Sequence, residues 1–163
     1  MAYSAMAVAN AFVRRAQEGA LVDLTPMKLQ KLMYYAQGWH LVHYRVPLID
    51  DFFARWPYGP VIPSLYHDFK EYGSNRIADY GGHVVLENGQ YVRKSPIIPD
   101  TDTSSWHMVN SIIQSYGGYS GPQLSWLTHQ PGTAWHDGGQ ANGTVITNEE
   151  LKDSLENSVV RGN

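Results

Sequence analysis

Apolar residues recur at three- and four-residue intervals at the start of the chain: Ala5, Val8, Phe12 and Ala16 share one side, with Asn10, Arg14, Gln17 and Glu18 on the other. That period predicts an amphipathic helix with Ser4 as its N-cap and Gly19 as its stop. The next segment places Thr25 at an N-cap and Pro26 at the first helical position, where a missing N–H costs nothing. It predicts a helix to about Tyr44. Leu29, Leu32, Met33, Ala36, Trp39 and His43 line one side of it, while Tyr35, Leu41 and Val42 put apolar bulk elsewhere. A helix apolar nearly all round is a buried, central one.

Further on, "RWPYGPVIPSLY" (55–66) reads as a rigid corner. Pro57 and Pro60 push Trp56 and Gly59 out of α conformation, Gly59 permits a tight turn, and Pro63 opens a helix to Tyr72 that Gly73 closes. The corner fixes the Thr25 helix against the Pro63 helix, with Trp56 and Tyr66 as packing pegs. "HVVLENGQYVRK" changes the period to β, and Asn88-Gly89 supplies a two-residue turn, so a hairpin is expected over about 83–94. A helix from about 101–103 carries Trp106, Val109, Ile112 and Ile113 and stops at Gly117-Gly118; Ser120 caps a short one after it. "QPGTAWHDGGQANG" reads as a surface loop, Thr147 and Glu150 stand in capping-box spacing before a last helix, and the chain from about 157 reads as frayed. The expected fold is mainly α: residues 1–163 as a single compact helical domain with one small β-hairpin.

Composition narrows the partners. The 163 residues are 43% hydrophobic and 17% charged, with a net charge of -3 and a pI of about 6.1. No basic field gathers phosphates, which makes nucleic acid an unfavoured partner. With no cysteine, disulfides, thiolate metal sites and thiol catalysis are excluded, and a reducing cytoplasm is the expected compartment. The N-terminus runs apolar then basic, the reverse of a signal peptide, and no window approaches the roughly 20 apolar residues of a membrane span.

Chemical motifs are sparse. His40 and His43 stand at i and i+3, without the glutamate of a zincin motif or a nearby third ligand. "GGYSGP" around Ser120 has proline where a nucleophile elbow requires glycine, and no strand precedes it. "GGQANG" lacks both phosphate-loop and dinucleotide spacing. No catalytic residue, metal or cofactor is assigned. The five Trp, eleven Tyr and four Phe suit a protein-binding surface as well as a core.

Leu24 to Gly73 resembles the Panacea-domain family, also called SocA-like or GepA-like phage-associated proteins. The likeness rests on Thr25-Pro26, Lys28-Leu29, Lys31-Leu32, Tyr34 to Gln37, Trp56, Tyr58 to Val61 (with Gly59 and Pro60), Pro63 and Tyr66. It continues more weakly through "LSWLTHQPGTAWHDG", which contains His129 and Trp135, and into "ITNEELKDSL". The chain departs from the family pattern at Arg55, where alanine precedes the tryptophan, at Thr133-Ala134 in place of proline before Trp135, and in a tail without an aromatic ending.

The resemblance implies a cytosolic antitoxin that neutralises a cognate toxin protein by direct binding, some members acting as adaptors that present the toxin to a Clp-type protease. The contact residues to expect are Tyr34, Tyr35, Trp56, Tyr58, Tyr66, His67 and Trp135, each weighed against the general burial of large aromatics. Thr25, Pro26, Lys28, Leu29, Lys31, Leu32, Gly59, Pro60, Pro63 and His129 are its motif and scaffold positions. The rivals are an enzyme, a hydrolase or transferase using Lys31, His67 or His129 in a cleft beside the corner, and a phage-encoded inhibitor of a host defence protein.

Overall fold

The computed structural model describes residues 2–160. At its centre lies α2 (Pro26–Tyr44), opened by Thr25, whose hydroxyl accepts from the Lys28 amide at 3.3 Å, and closed by Arg45 in the left-handed region at φ 62. Leu29, Leu32, Met33 and Ala36 are buried in the core. Around it pack α1 (Ala5–Gln17), α3 (Pro63–Phe69), α4 (Thr103–Tyr116), α5 (Gly121–Thr128) and α7 (Asn148–Val160). The four-residue α6 (Ala134–Asp137) bridges α5 and α7.

A helix surrounded on all sides must bury polar side chains as well, and α2 uses them to satisfy the backbone of its neighbours. Gln30 accepts from the Ile62 amide at 2.9 Å and donates to the Ile62 carbonyl at 3.1 Å. Gln37 accepts from the Leu48 and Ile49 amides at 2.9 and 2.8 Å and donates to the Ile49 carbonyl. The Lys28 ammonium donates to the Val22 and Gly117 carbonyls, both at 2.7 Å, tying the end of α4 to the loop before α2. The run "KLQKLMYYAQ" thus interleaves core residues with hydrogen-bonding groups for irregular backbone.

The expectation of helices with one small hairpin is overturned. Two small sheets occur, and the larger is built from the corner itself: β1 (Phe53–Trp56) lies between β2 (Gly59–Val61) and β5 (Val145–Ile146). Both pairings are antiparallel, with Arg55 opposite Pro60 and Trp56 opposite Gly59. The backbone of Arg55 bonds outward, its N–H to the Thr144 carbonyl and its carbonyl from the Gly143 amide, both 2.9 Å. Pro60, which has no N–H, therefore sits on an edge strand where no ladder bond is required of it. The three-residue β2 and two-residue β5 are too short to show a period of two.

The smaller sheet, β3 (His83–Glu87) with β4 (Gln90–Lys94), turns at Asn88 and Gly89, both at positive φ, and is exposed along both strands. Its base is held by Asn10, which accepts from the Gly81 amide at 2.9 Å and donates to the Gly81 and Pro96 carbonyls at 3.0 and 2.9 Å. Asn10 is therefore buried, a correction to its assignment to the polar face of α1. The Pro63 helix is α-helical only to Phe69, and Lys70–Tyr72 tighten into a 3-10 turn before Gly73. The last helix keeps the capping box, with Thr147 and Glu150 exchanging side-chain-to-amide bonds at 3.1 Å. It continues past 157 to Val160, and 161–163 lie outside the described residues.

Candidate functional site

The first turn of α2, the β1–β2 turn and α3 enclose an apolar surface groove of about 340 Å³. Pro26, Met27 and Gln30 form one wall, Trp56, Pro57 and Tyr58 the second, and Leu65, Tyr66 and Phe69 the third. Each wall follows from local sequence: proline at the first helical position brings Met27 to the surface end of α2, and Pro57-Tyr58 occupy the hairpin turn. Pro63 opens α3 so that Leu65 and Phe69 face inward while Tyr66 reaches the rim. Tyr58 is 69% exposed and Tyr66 41% exposed. The Trp56 and Tyr66 rings meet edge to face at 5.1 Å.

Below the turn the scaffold is rigid. Gly59 has φ +111, and a Cβ there would lie 2.7 Å from Lys31 Cε and 2.8 Å from Thr128 Oγ1. Only glycine fits this close approach. His129, at the end of α5, contacts two carbonyl oxygens, Ser125 through Nδ1 and Pro57 through Nε2 at 2.9 Å, and packs on Trp135 with centroids 3.9 Å apart. Trp135 donates its indole N–H to the Trp56 carbonyl at 2.9 Å. The weakly matching "LTHQPGTAW" segment thus braces the turn from behind.

Of the contact residues expected from the sequence, Trp56, Tyr58 and Tyr66 come together at the groove, and His67 stands exposed beside Tyr66 with ring centroids 5.7 Å apart. Tyr34, Tyr35 and Trp135 lie in the core. Tyr34 packs edge to face on Tyr35 and on Phe53, and Tyr35 stacks on Tyr116 at 4.0 Å. Among the scaffold positions, Thr25 caps α2, Leu29 and Leu32 fill the core, and Pro60 and Pro63 flank the strand-to-helix junction. Lys31 lines the groove, with its ammonium on the Pro60 carbonyl at 3.2 Å, and burial pushes its pKa down to about 7.

Sequence reading does not single out Met27, Gln30, Leu65 or Phe69 as groove residues. Their signal is the helical spacing of Met27 with Gln30 and of Leu65 with Phe69, which puts each pair on one face. His40, at i and i+3 with His43, engages the Val46 carbonyl through Nδ1 at 2.7 Å. No group of three or more His, Asp or Glu able to hold a metal occurs among the described residues.

A buried polar-and-apolar helix, a small sheet braced against its first turn and an apolar groove between them define a helix-centred domain with an apolar surface cleft beside the corner. Residues 29–136 match the family described as antitoxin SocA-like, Panacea domain, and the chain belongs to that family. It is 31% identical over 132 residues to Antitoxin SocA of Caulobacter vibrioides (strain NA1000 / CB15N), an alignment covering 80% of this chain and 68% of that protein. No solved structure matches the chain significantly. No described helix is long and apolar enough to cross a membrane.

Proposed function

We propose that the protein is a cytoplasmic antitoxin that neutralises a cognate toxin protein by direct binding, and that the groove between Met27, Tyr58 and Tyr66 is its docking surface. The observation that carries this reading is that three aromatics on which the family likeness rests, Trp56, Tyr58 and Tyr66, line the apolar cleft. Exposed aromatics rimming a concave apolar patch are the usual anchors of protein interfaces. The net charge of -3 favours a protein partner over nucleic acid.

Binding without chemistry belongs to the same proposal. His129 supports it, because both of its ring nitrogens face backbone carbonyls and its ring packs on Trp135. Presentation of the toxin to a Clp-type protease is a separate step that the same surface chemistry neither requires nor opposes.

Co-expression with toxin genes neighbouring its own is the test. Rescue of growth and recovery of a complex, both lost in Tyr58→Ala and Tyr66→Ala, is the expected result. A complex that survives both substitutions would place docking elsewhere, and a His67→Ala variant that binds the toxin normally but fails to rescue would overturn the purely binding role. Toxin half-life with and without the protease reads the adaptor step separately.

A further inference from the structure

Three cations lie buried in the described residues, and two of them are well satisfied. The Lys28 ammonium has two carbonyl acceptors at 2.7 Å, and the Arg55 guanidinium has the Ala134 and Val145 carbonyls, the Thr144 hydroxyl and the Glu150 carboxylate. Lys31 differs. It is 1% exposed, yet its ammonium has one acceptor for three N–H bonds, the Pro60 carbonyl at 3.2 Å, and no carboxylate pairs with it.

Burying an ammonium without a counter-ion is unfavourable, and packing alone gives no reason to keep one here. Its position supplies a reason. Lys31 lines the apolar groove, whose lining contains no carboxylate, and the neighbouring Gly59 has no side chain; a Cβ there would lie 3.3 Å from Lys31 Nζ. The groove therefore offers a large apolar surface with a buried, counter-ion-free lysine beneath it. Its complement is an apolar side chain next to an acid.

We propose that the groove receives a segment of a partner protein that seats a large apolar side chain among Met27, Trp56, Tyr58 and Tyr66 and brings an aspartate or glutamate carboxylate to the Lys31 ammonium. The inference rests on the docking role of the groove and adds the chemistry that selects its occupant. A desolvated lysine paired on arrival of the partner makes specificity depend on the acid, because an amide in its place leaves the charge unneutralised.

The probes are two blocked peptides, acetyl-Ala-Trp-Asp-Ala-amide and its Asp→Asn counterpart, titrated into the full chain and followed by NMR. The Asp peptide is expected to bind at least threefold more tightly and to shift the Lys31 Cε resonance, and Lys31→Met is expected to erase the preference while still binding the Asn peptide. Should Lys31→Met fail to fold, the wild-type Lys31 Cε shift, moved by Asp and not by Asn, decides the point.

Equal affinities, or a preference that survives in Lys31→Met, would overturn the acid inference while leaving the groove as a docking surface. Binding of neither peptide would overturn the acid inference, while the docking role stands or falls with the toxin complex in Tyr58→Ala and Tyr66→Ala. Concentration-dependent dimerisation abolished by Lys31→Met would make the occupant a second copy of this chain and overturn the partner assignment.

Discussion

Arg55 and Glu150 form an ion pair whose two ends live in different environments: the Arg55 side chain is 2% exposed and the Glu150 side chain 40% exposed. The pair joins β1 to the first turn of α7, and the same guanidinium holds the Ala134 carbonyl of α6 at 2.9 Å and the Val145 carbonyl of β5 at 3.0 Å. Arg55 is thus a junction of four elements.

Acid should weaken the junction. Desolvation pushes the Glu150 carboxyl up, but the Thr147 amide, the hydrogen bond and charge of Arg55 and the Thr147 hydroxyl outweigh it and hold the carboxyl below the ordinary glutamate value. A carboxyl lowered in the folded state contributes stability above its unfolded pKa of about 4.3, and that contribution is lost as pH falls through the folded value. The urea midpoint should therefore fall from pH 5 towards pH 2.5, less steeply in Glu150→Gln. Because Glu150 is partly exposed, the substitution should cost only about 1 kcal/mol at pH 7, and less in high salt.

The same junction constrains a glycine. A Cβ on Gly138 would lie 1.8 Å from Arg55 Nη2, and the guanidinium cannot retreat without breaking its carbonyl bonds. Gly138→Ala should destabilise the protein by about 1–3 kcal/mol through overpacking. Beside Arg55→Ala the same substitution should cost much less. Additive effects in this double-mutant cycle, read from denaturant midpoints, would show that the two residues do not compete for space.

The sequence makes the helices legible because their ends carry local chemistry: Ser4, Thr25, Ser120 and Thr147 all accept from amides three residues on. The β1–β2–β5 sheet is illegible for the converse reason. Its strands are four, three and two residues long, and β5 pairs with a segment some 90 positions earlier, so no local pattern records it. The aromatic part of the groove is foreseeable in Trp56, Tyr58 and Tyr66. Tyr34, Tyr35 and Trp135 carry the same aromatic signal but face the core, a difference set by tertiary packing rather than residue type. Asn10 and Gln37 hid in plain polar composition, since the irregular backbone they satisfy is brought to them by the fold.

Asn10 gives a test of local stability. Its amide makes three bonds to backbone at Gly81 and Pro96, on either side of the β3–β4 arm. Asn10→Ala would leave those groups buried without partners and should cost about 2–3 kcal/mol. If the clamp anchors the arm, hydrogen exchange at Val85 and Val92 should accelerate more than at Leu32 in α2. Uniform acceleration across the chain would mean that Asn10 stabilises the core as a whole and has no special hold on the hairpin.

Lys31 predicts a pH dependence of the same sign as Glu150, but in an alkaline window. Burial lowers its pKa to about 7, so between about pH 7 and the unfolded value near 10.4 the unfolded chain binds the extra proton. Stability contributed through this residue should therefore rise as pH increases across that window. Lys28, also lowered chiefly by burial, acts in the same direction and remains in both proteins of the comparison. Lys31→Met removes the titration, so the wild type should gain on the variant between pH 6.5 and 9.5. At pH 6.5, where the buried ammonium is charged, the variant should be the more stable by about 1–4 kcal/mol, as expected when a buried charge is replaced by an apolar side chain of similar length. Parallel urea midpoints across this range would mean that Lys31 stays charged in the folded protein, compensated by solvent that reaches it through the groove.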